Sequence, residues 1–377
     1  MLQKIPIRKE LTAVKKNKTQ VHEPLFHVVK RDVMPVWKSA LIRIVAVVAG
    51  ILFGALLSMV LIKADPVEFI EALFDASFGS ERRLWKFAKD AAVLLCIALA
   101  ITPAFRMRFW NIGAEGQVLI GALAAVAVAF YLGASISNTV LLILMFVAAL
   151  LAGAVWGGIP AVFKAKWGTN ETLFTLMMNY AASGIVAYFL VKWTPSGSSV
   201  LGELKVGHLP QIFHPYLFII IAVLVITLFV FIYQSFTKQG YEISVVGESE
   251  NTAKYIGINV KKVIIRTMLV SGAICGIAGF LIVAGLDHSI TETTVGGRGF
   301  TAIMVSWLAK FNPIMMIVTA AFVTFLDQGA SQISTSFKID SSFPDMMVGI
   351  VLFFLIGCEF FINYKLKFRS SLKKEVQ

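Results

Sequence analysis

Reactive equipment is what this chain lacks. Cysteine occurs three times, and Cys96, Cys275 and Cys358 each lie inside an apolar run, so they read as small buried hydrophobes and neither as disulfides nor as metal ligands. Charged residues make up 15% of the chain, against about 25% in ordinary soluble domains. No Gly-Lys dipeptide occurs, which excludes a phosphate-binding P-loop, and no His-Glu-x-x-His occurs. The five histidines, His22, His27, His208, His214 and His288, fall in tails or loops with no ligand spacing among them. Gly297-Arg298-Gly299-Phe300-Thr301-Ala302 has the outline of a dinucleotide loop, but it follows an apolar span and not a strand. No enzyme activity, cofactor or metal is therefore expected, and ATP-driven work would need another subunit. The first 38 residues also lack a signal-peptide core.

What is abundant is hydrocarbon. Hydrophobic residues are 58% of the chain, with 30 phenylalanines, against about 45–50% apolar in soluble domains. A bilayer span takes roughly 20 apolar residues. Clear candidates are Ala40–Ile62, Leu141–Phe163, Thr172–Val191, Tyr216–Tyr233, Val263–Leu286 and Phe343–Asn363. Ala91–Phe105, Val118–Leu132, Phe300–Ala309 and Ile314–Phe325 are shorter or broken, and re-entry is open for them. Together they predict an all-α polytopic membrane protein with about ten spans. Its expected domains are a basic cytoplasmic tail (1–38), a transmembrane domain (39–363) and a second basic cytoplasmic tail (364–377).

The net charge of +12 follows the membrane and not nucleic acid. Nine Lys/Arg precede the first span, from Lys4 to Lys38, and five lie between Lys365 and Lys374. With both termini inside, 23 Lys/Arg face the cytoplasm and nine face outward, the positive-inside bias. No basic helix or interleaved aromatic patch accompanies the charge, so no nucleic-acid partner is expected. Outside, Lys63–Asp90 predicts a short amphipathic helix and Lys192–Pro215 an irregular loop rich in Gly, Ser and Pro.

Two glycine-rich breaks stand at corresponding places five spans apart. One is Asn111-Ile112-Gly113-Ala114-Glu115-Gly116-Gln117 and the other Gly296-Gly297-Arg298-Gly299-Phe300. An odd offset gives halves of opposite topology, and paired broken segments of this kind mark the pathway of inverted-repeat transporters. Polar groups inside spans must face the bundle or a cavity. Asn111, Glu115, Gln117, Phe174, Asn179, Gly297 and Phe300 are therefore the candidate pathway residues. For Asn179, inter-helix hydrogen bonding is an equal alternative, and for Glu115, bonding of exposed backbone at the break is the favoured one. Asn170 and Glu171 read as a helix start. Arg43 and Arg266, near cytoplasmic span ends, can snorkel to water. Asp327 is the one acidic candidate for ion coupling, and it lies near the outer face. A neutral, partly aromatic solute suits the remaining lining.

The loop 235–262 is a charged island between two apolar spans. Its helix formers end at Gly257, so it predicts a short structured helix that docks against a partner.

Three segments resemble one family. Phe109-Trp110-Asn111-Ile112-Gly113-Ala114-Glu115-Gly116-Gln117 is similar to the Phe-Asn-Ile-Gly-x-Glu-Gly-Gln signature of bacterial ABC-importer permeases of the sugar/nucleoside branch, with Trp110 as a departure. Thr172–Tyr180 resembles the family's Thr-Leu-Met-x-Asn-Tyr helix. Gly247–Ile258 resembles its cytoplasmic coupling segment, with Lys254 where the pattern has a second alanine. The resemblance spans about Ala91 to Asn363. It implies a ten-span type II importer permease with an inverted pseudo-repeat in the bacterial plasma membrane. It also implies a second, homologous permease as partner in a heterodimer, ABC ATPases on the cytoplasmic face and an extracytoplasmic solute-binding lipoprotein, with membrane lipids around the spans. Gly247, Glu248, Asn251, Ala253, Lys254, Tyr255 and Gly257 would couple to the ATPase. Nucleosides are the implied solute, with a ribose- or galactose-like sugar as the alternative. A stand-alone secondary carrier and a membrane enzyme are the competing classes.

Overall fold

Helix dominates because a segment without access to water must satisfy every backbone N–H and C=O internally. The computed structural model describes residues 26–31, 34–62, 65–194, 201–211, 213–339 and 342–368. The expected Gly/Ser/Pro stretch at 195–199, the basic residues Lys4–Lys18 and the tail from 369 onward lie outside them.

In chain order the elements begin with β1 (Phe26–Lys30), α1 (Val36–Ile62), α2 (Pro66–Phe78), α3 (Glu81–Arg106), α4 (Ala114–Leu132), α5 (Asn138–Trp167) and α6 (Glu171–Trp193). They continue with α7 (Leu217–Phe236), α8 (Lys238–Glu248), α9 (Glu250–Tyr255) and α10 (Val260–Ile282), which runs into a π turn at Val283–Asp287. The last are α11 (Arg298–Leu308), α12 (Pro313–Phe337), α13 (Phe343–Asn363) and β2 (Tyr364–Phe368). Contacts divide the chain into two units, Met1–Lys63 with Gly349–Gln377, and Ala64–Val348.

In the first unit β1 and β2 pair antiparallel, with Phe26 opposite Phe368 and Lys30 opposite Tyr364. α1 lies along the later part of α13. Phe53 meets Phe354 with ring centroids 5.7 Å apart, and Arg43 Nε donates to Glu359 Oε1 at 2.9 Å.

In the second unit α3 is the central helix, buried without interruption from Ala92 to Phe105. A helix apolar on every face belongs inside a bundle. α4, α5 and α10 cross where glycine removes the side chain. A Cβ on Gly272 would lie 2.2 Å from the Gly153 carbonyl oxygen, and one on Gly276 would lie 2.1 Å from that of Ala149. These three helices touch backbone to backbone, the close packing that small residues permit in lipid.

Among the described residues nine helices are long and apolar enough to span a membrane: α1, α3 to α7, α10, α12 and α13. The tenth expected span, Phe300–Ala309, is the half-length α11. Its 11 residues rise about 16 Å against about 30 Å of hydrocarbon. Two span ends differ from expectation. α3 starts ten residues before Ala91, and α12 runs twelve residues beyond Phe325. In both, the extra turns are polar, so hydropathy alone stops short of them. The segment 65–90 therefore holds α2, with Phe69 and Leu73 buried, and the first turns of α3. Arg43 and Arg266 do not reach for water alone, because each pairs with a carboxylate. Glu359 serves Arg43, and Glu242 accepts from Arg266 Nη2 at 2.9 Å.

Candidate functional site

The two glycine breaks meet. Glu115 is the second residue of α4, and its carboxylate accepts from the N–H of Gly297 at 2.8 Å through Oε1 and from that of Gly299 at 2.7 Å through Oε2. Gly299 is the second residue of α11. One carboxylate therefore sits at the positive ends of two helices and satisfies N–H groups that no turn of α11 can reach. A Cβ on Gly299 would fall 2.5 Å from the Glu115 nitrogen, so the approach depends on glycine.

α6 clamps the same break from the other side. Asn179 Oδ1 accepts from the Gly116 N–H at 2.9 Å, and its Nδ2 donates to the Ile112 carbonyl at 3.0 Å. Thr175 Oγ1 accepts from the Ile112 N–H at 3.2 Å. Asn111, fully buried, exchanges hydrogen bonds with Gln117 at 3.1 and 3.3 Å, and its Nδ2 is also 3.3 Å from Ser271 Oγ on α10. In this conformation Asn111, Gln117 and Asn179 hold backbone and one another. Of the two readings for Asn179, hydrogen bonding between helices is the one its partners display. Asn170 caps α6 through the Leu173 N–H at 3.2 Å, and Glu171 pairs with Lys164 at 2.7 Å.

Beside the junction lies a cavity of about 790 Å³. Gly297 and Phe300 line it, which brings these two expected pathway residues together. α3 supplies Asp90 and Leu94, α12 supplies Val323, Thr324 and Asp327, and α13 supplies Asp345. The end of the π turn adds Asp287, and the segment between it and α11 adds Ser289, Thr291 and Thr294. Asp90 accepts from Gln328 Nε2 at 2.8 Å and faces Arg298 at 3.7 Å. Sequence reading singled out Asp327 alone of these four acids. The others stand on three different elements, and no local spacing links them.

Next to this segment the rings of His208 and His288 stack with centroids 4.0 Å apart. Burial pushes the His288 imidazole below its ordinary pKa, and the neighbouring His208 adds to the shift.

Phe174 lies apart from these groups. It is half-buried, its ring centroid 5.0 Å from that of Phe163 and tilted by 36°, in a shallow apolar groove with Leu173, Met177 and Met178.

On the other face of the bundle, the loop 235–262 forms two helices and not one. α8 is capped by Thr237 and α9 by Ser249, whose hydroxyl accepts from the Thr252 N–H at 3.2 Å. Gly247 falls in α8 and is buried, and a Cβ there would lie 2.2 Å from the Arg106 carbonyl oxygen at the end of α3. Ala253 is fully buried and anchors α9. Gly257 ends the module at φ +83°, where a side chain would be strained. Glu248, Asn251 and Lys254 are exposed, and Tyr255 is 91% exposed. The expected coupling residues thus divide into a buried foot, Gly247 and Ala253, and a presented face.

A polytopic helical bundle, with one half-length helix docked at a second helix break, is the build of a membrane permease. The chain belongs to the family described as branched-chain amino acid transport system / permease component, whose model matches residues 84–356. It is 28% identical over 354 residues to the glucose ABC transporter permease protein TsgB13 of Haloferax volcanii, covering 89% of this chain and 92% of that one. It is 28% identical over 348 residues to the guanosine ABC transporter permease protein NupP of Bacillus subtilis, covering 89% and 97%. The nucleoside ABC transporter permease protein NupB of Lactococcus lactis is 24% identical over 352 residues, at 89% and 95% coverage.

Proposed function

We propose that this chain is a membrane subunit of an ATP-driven importer that carries nucleosides into the cell by alternating access. The observation that carries the reading is the α8–α9 module. Its exposed Glu248, Asn251, Lys254 and Tyr255 ride on a foot that packs against the end of α3. A partner pressing on that face would move the central helix, with no chemistry inside this chain. The nucleoside assignment is supported by the names of NupP and NupB. The name of TsgB13 favours a second reading, a simple-sugar permease of the same architecture.

The same reading assigns an ABC ATPase to the α8–α9 face, a second homologous permease beside this one, and a solute-binding lipoprotein outside. It places both termini in the cytoplasm, on the strength of the Lys/Arg bias. Asn111, Glu115, Gln117, Phe174, Asn179, Gly297 and Phe300 remain its proposed pathway region, with Gly297 and Phe300 at the cavity wall.

The deciding test is uptake of radiolabelled purine and pyrimidine nucleosides, with ribose and glucose as competitors, in cells with and without the gene. Loss of nucleoside uptake on deletion, unaffected by the sugars, supports the proposal. Intact nucleoside uptake with impaired sugar uptake moves it to the second reading. Gly257→Pro, or Asn251→Asp with Tyr255→Asp, should abolish uptake while membrane insertion stays normal. Unchanged uptake in both variants refutes the coupling role.

A further inference from the structure

Away from the glycine junction, the first turns of α3 carry charge where charge is costly. Arg82, Arg83, Lys86 and Lys89 crowd into the start of the helix, the end whose dipole disfavours cations. They stand on the bundle end opposite the α8–α9 module, the side to which the Lys/Arg bias assigns only nine basic residues. Arg83 is offset by Asp75, with which it pairs. Among the described residues no ion pair engages Arg82, Lys86 or Lys89. Lys86 bears on Asp327 and Lys89 on Asp287 only from beyond ion-pair distance.

These cations are gathered around a cleft. Ser80, Arg82, Arg83, Lys86, Lys89 and Tyr216 line a hollow of about 360 Å³. A second hollow of about 300 Å³ shares Arg82 and Tyr216 with it and adds Glu81, Trp85 and His214. The turn before α7 is clamped onto α3. The Trp85 and His214 rings stack with centroids 4.0 Å apart, and Lys89 Nζ lies 4.8 Å over the Tyr216 ring. Apolar sequence begins just past Lys89 on α3 and just past Tyr216 on α7, so the cleft stands where water gives way to hydrocarbon. Below it α7 exposes Ile221, Leu224, Val225 and Leu228. Beside it Phe213 is wholly exposed and held at φ +58°, a conformation costly for a bulky side chain. Water gives such a ring no return, and acyl chains do.

We propose that this cleft holds the phosphodiester headgroup of an anionic phospholipid, with Phe213 seated among the acyl chains beside it. Arg82, Lys86 and Lys89 supply N–H donors and positive charge to the phosphate oxygens, and the hydroxyls of Ser80 and Tyr216 serve the rest of the headgroup. Glu81 lines only the second hollow, so the phosphate belongs in the first. A docking protein would need a face of about 800 Å². The narrow cleft, its height in the bilayer and the apolar anchor fit a lipid instead. The inference stands on the membrane-spanning fold and is independent of the solute carried.

The test uses the purified full-length protein in detergent, with phosphatidylglycerol or phosphatidylcholine of identical chains added and native mass spectrometry counting the lipid retained. Phosphatidylglycerol should be held about tenfold more tightly. Arg82→Gln with Lys86→Gln should cut the preference to about twofold or less. Lys192→Gln with Lys205→Gln removes the same charge from exposed positions elsewhere and should leave it intact. If the first pair does not fold, Lys86→Gln alone should lower the preference about threefold. Phe213→Ser should weaken retention of both lipids equally. An equal loss in the Lys192 and Lys205 control means attraction to the protein's overall charge and overturns the site. Soluble glycerol 3-phosphate bound as tightly as the lipid assigns the cleft to a free phosphate and overturns the lipid. An unchanged preference in the Arg82 and Lys86 variants overturns the proposal, and a fall in their uptake would then assign the patch to a docking protein.

Discussion

Replacing Glu115 with alanine removes one side chain and unbinds two helices. The carboxylate makes two hydrogen bonds to backbone N–H groups, at 2.8 and 2.7 Å, in a half-buried position. Bonds of this charged type contribute about 1.5–3 kcal/mol each, and a buried N–H left without an acceptor costs about 1–3 kcal/mol. Favourable placement at two helix starts adds a further share of about 0.3–1 kcal/mol per terminus. With overlap between these terms, Glu115→Ala should destabilise by about 3–5 kcal/mol. Glu115→Gln keeps one acceptor and turns its amide donor toward the other N–H, so it should cost about 2–3 kcal/mol. Gly299→Ala attacks the same contact from the far side, because its Cβ would sit 2.7 Å from Glu115 Oε2. The double variant should therefore fall short of the sum of the singles by about 1–2 kcal/mol. The assay is denaturant unfolding of the purified full-length protein in detergent, followed by tryptophan fluorescence, with uptake measured in parallel. An unfolding midpoint unchanged in Glu115→Ala, or strict additivity with Gly299→Ala, would refute the reasoning.

Other positions give sharper single readings. Asn179→Leu should destabilise by about 2–4 kcal/mol, because it strips an acceptor from Gly116 and a donor from Ile112, while Asn179→Asp keeps the first bond and should cost less. An equal loss in the two variants would show that the side-chain volume matters and not the bonds. Gly276→Ala, whose Cβ would lie 2.1 Å from a backbone oxygen, should lower expression of folded protein sharply, whereas Gly184→Ala, with open space, should not. For His288 the folded pKa lies below the ordinary value of about 6.5. Its neutral form is the one the fold favours, so its contribution is present above that value and is lost as pH falls through the lowered one. His208, Glu203 and Asp287 are the titratable neighbours that bear on it. Protection of the amides in residues 201–211 against hydrogen exchange, corrected for the intrinsic rate at each pH, should fall between pH 7.5 and pH 5 in the wild type and much less in His288→Asn, and identical profiles would count against this.

The broken helices are legible from sequence because glycine clusters interrupt apolar runs, and their corresponding places five spans apart point to an inverted repeat and a transport pathway, but not to the contact between them. That Glu115 joins them was half legible: a carboxylate beside exposed backbone suggests bonding, but its partners lie 182 and 184 residues away. Span ends at α3 and α12 were misjudged where the added turns carry Asp90, Asp327 and Gln328, since hydropathy averages over a helix and does not see which face a polar residue takes. The arginine pairs escaped for a related reason. Glu359 is 316 residues from Arg43, and only the folded bundle brings them into reach. Ser271 and the facing glycines of α5 and α10 looked like unremarkable small residues, and they acquire meaning only through the helix opposite.

The pairing of β1 with β2 has a consequence for how the chain is made. Residue 26 leaves the ribosome long before residue 368, so this contact is among the last that can form. A two-stranded ladder needs both ends of the chain in the same aqueous compartment. A single span skipped or inverted during insertion would leave the strands on opposite sides of the lipid. The small sheet therefore acts as a parity check on topogenesis: with nine full-length spans among the described residues, it closes only if α11 and the segments beside it complete a tenth crossing.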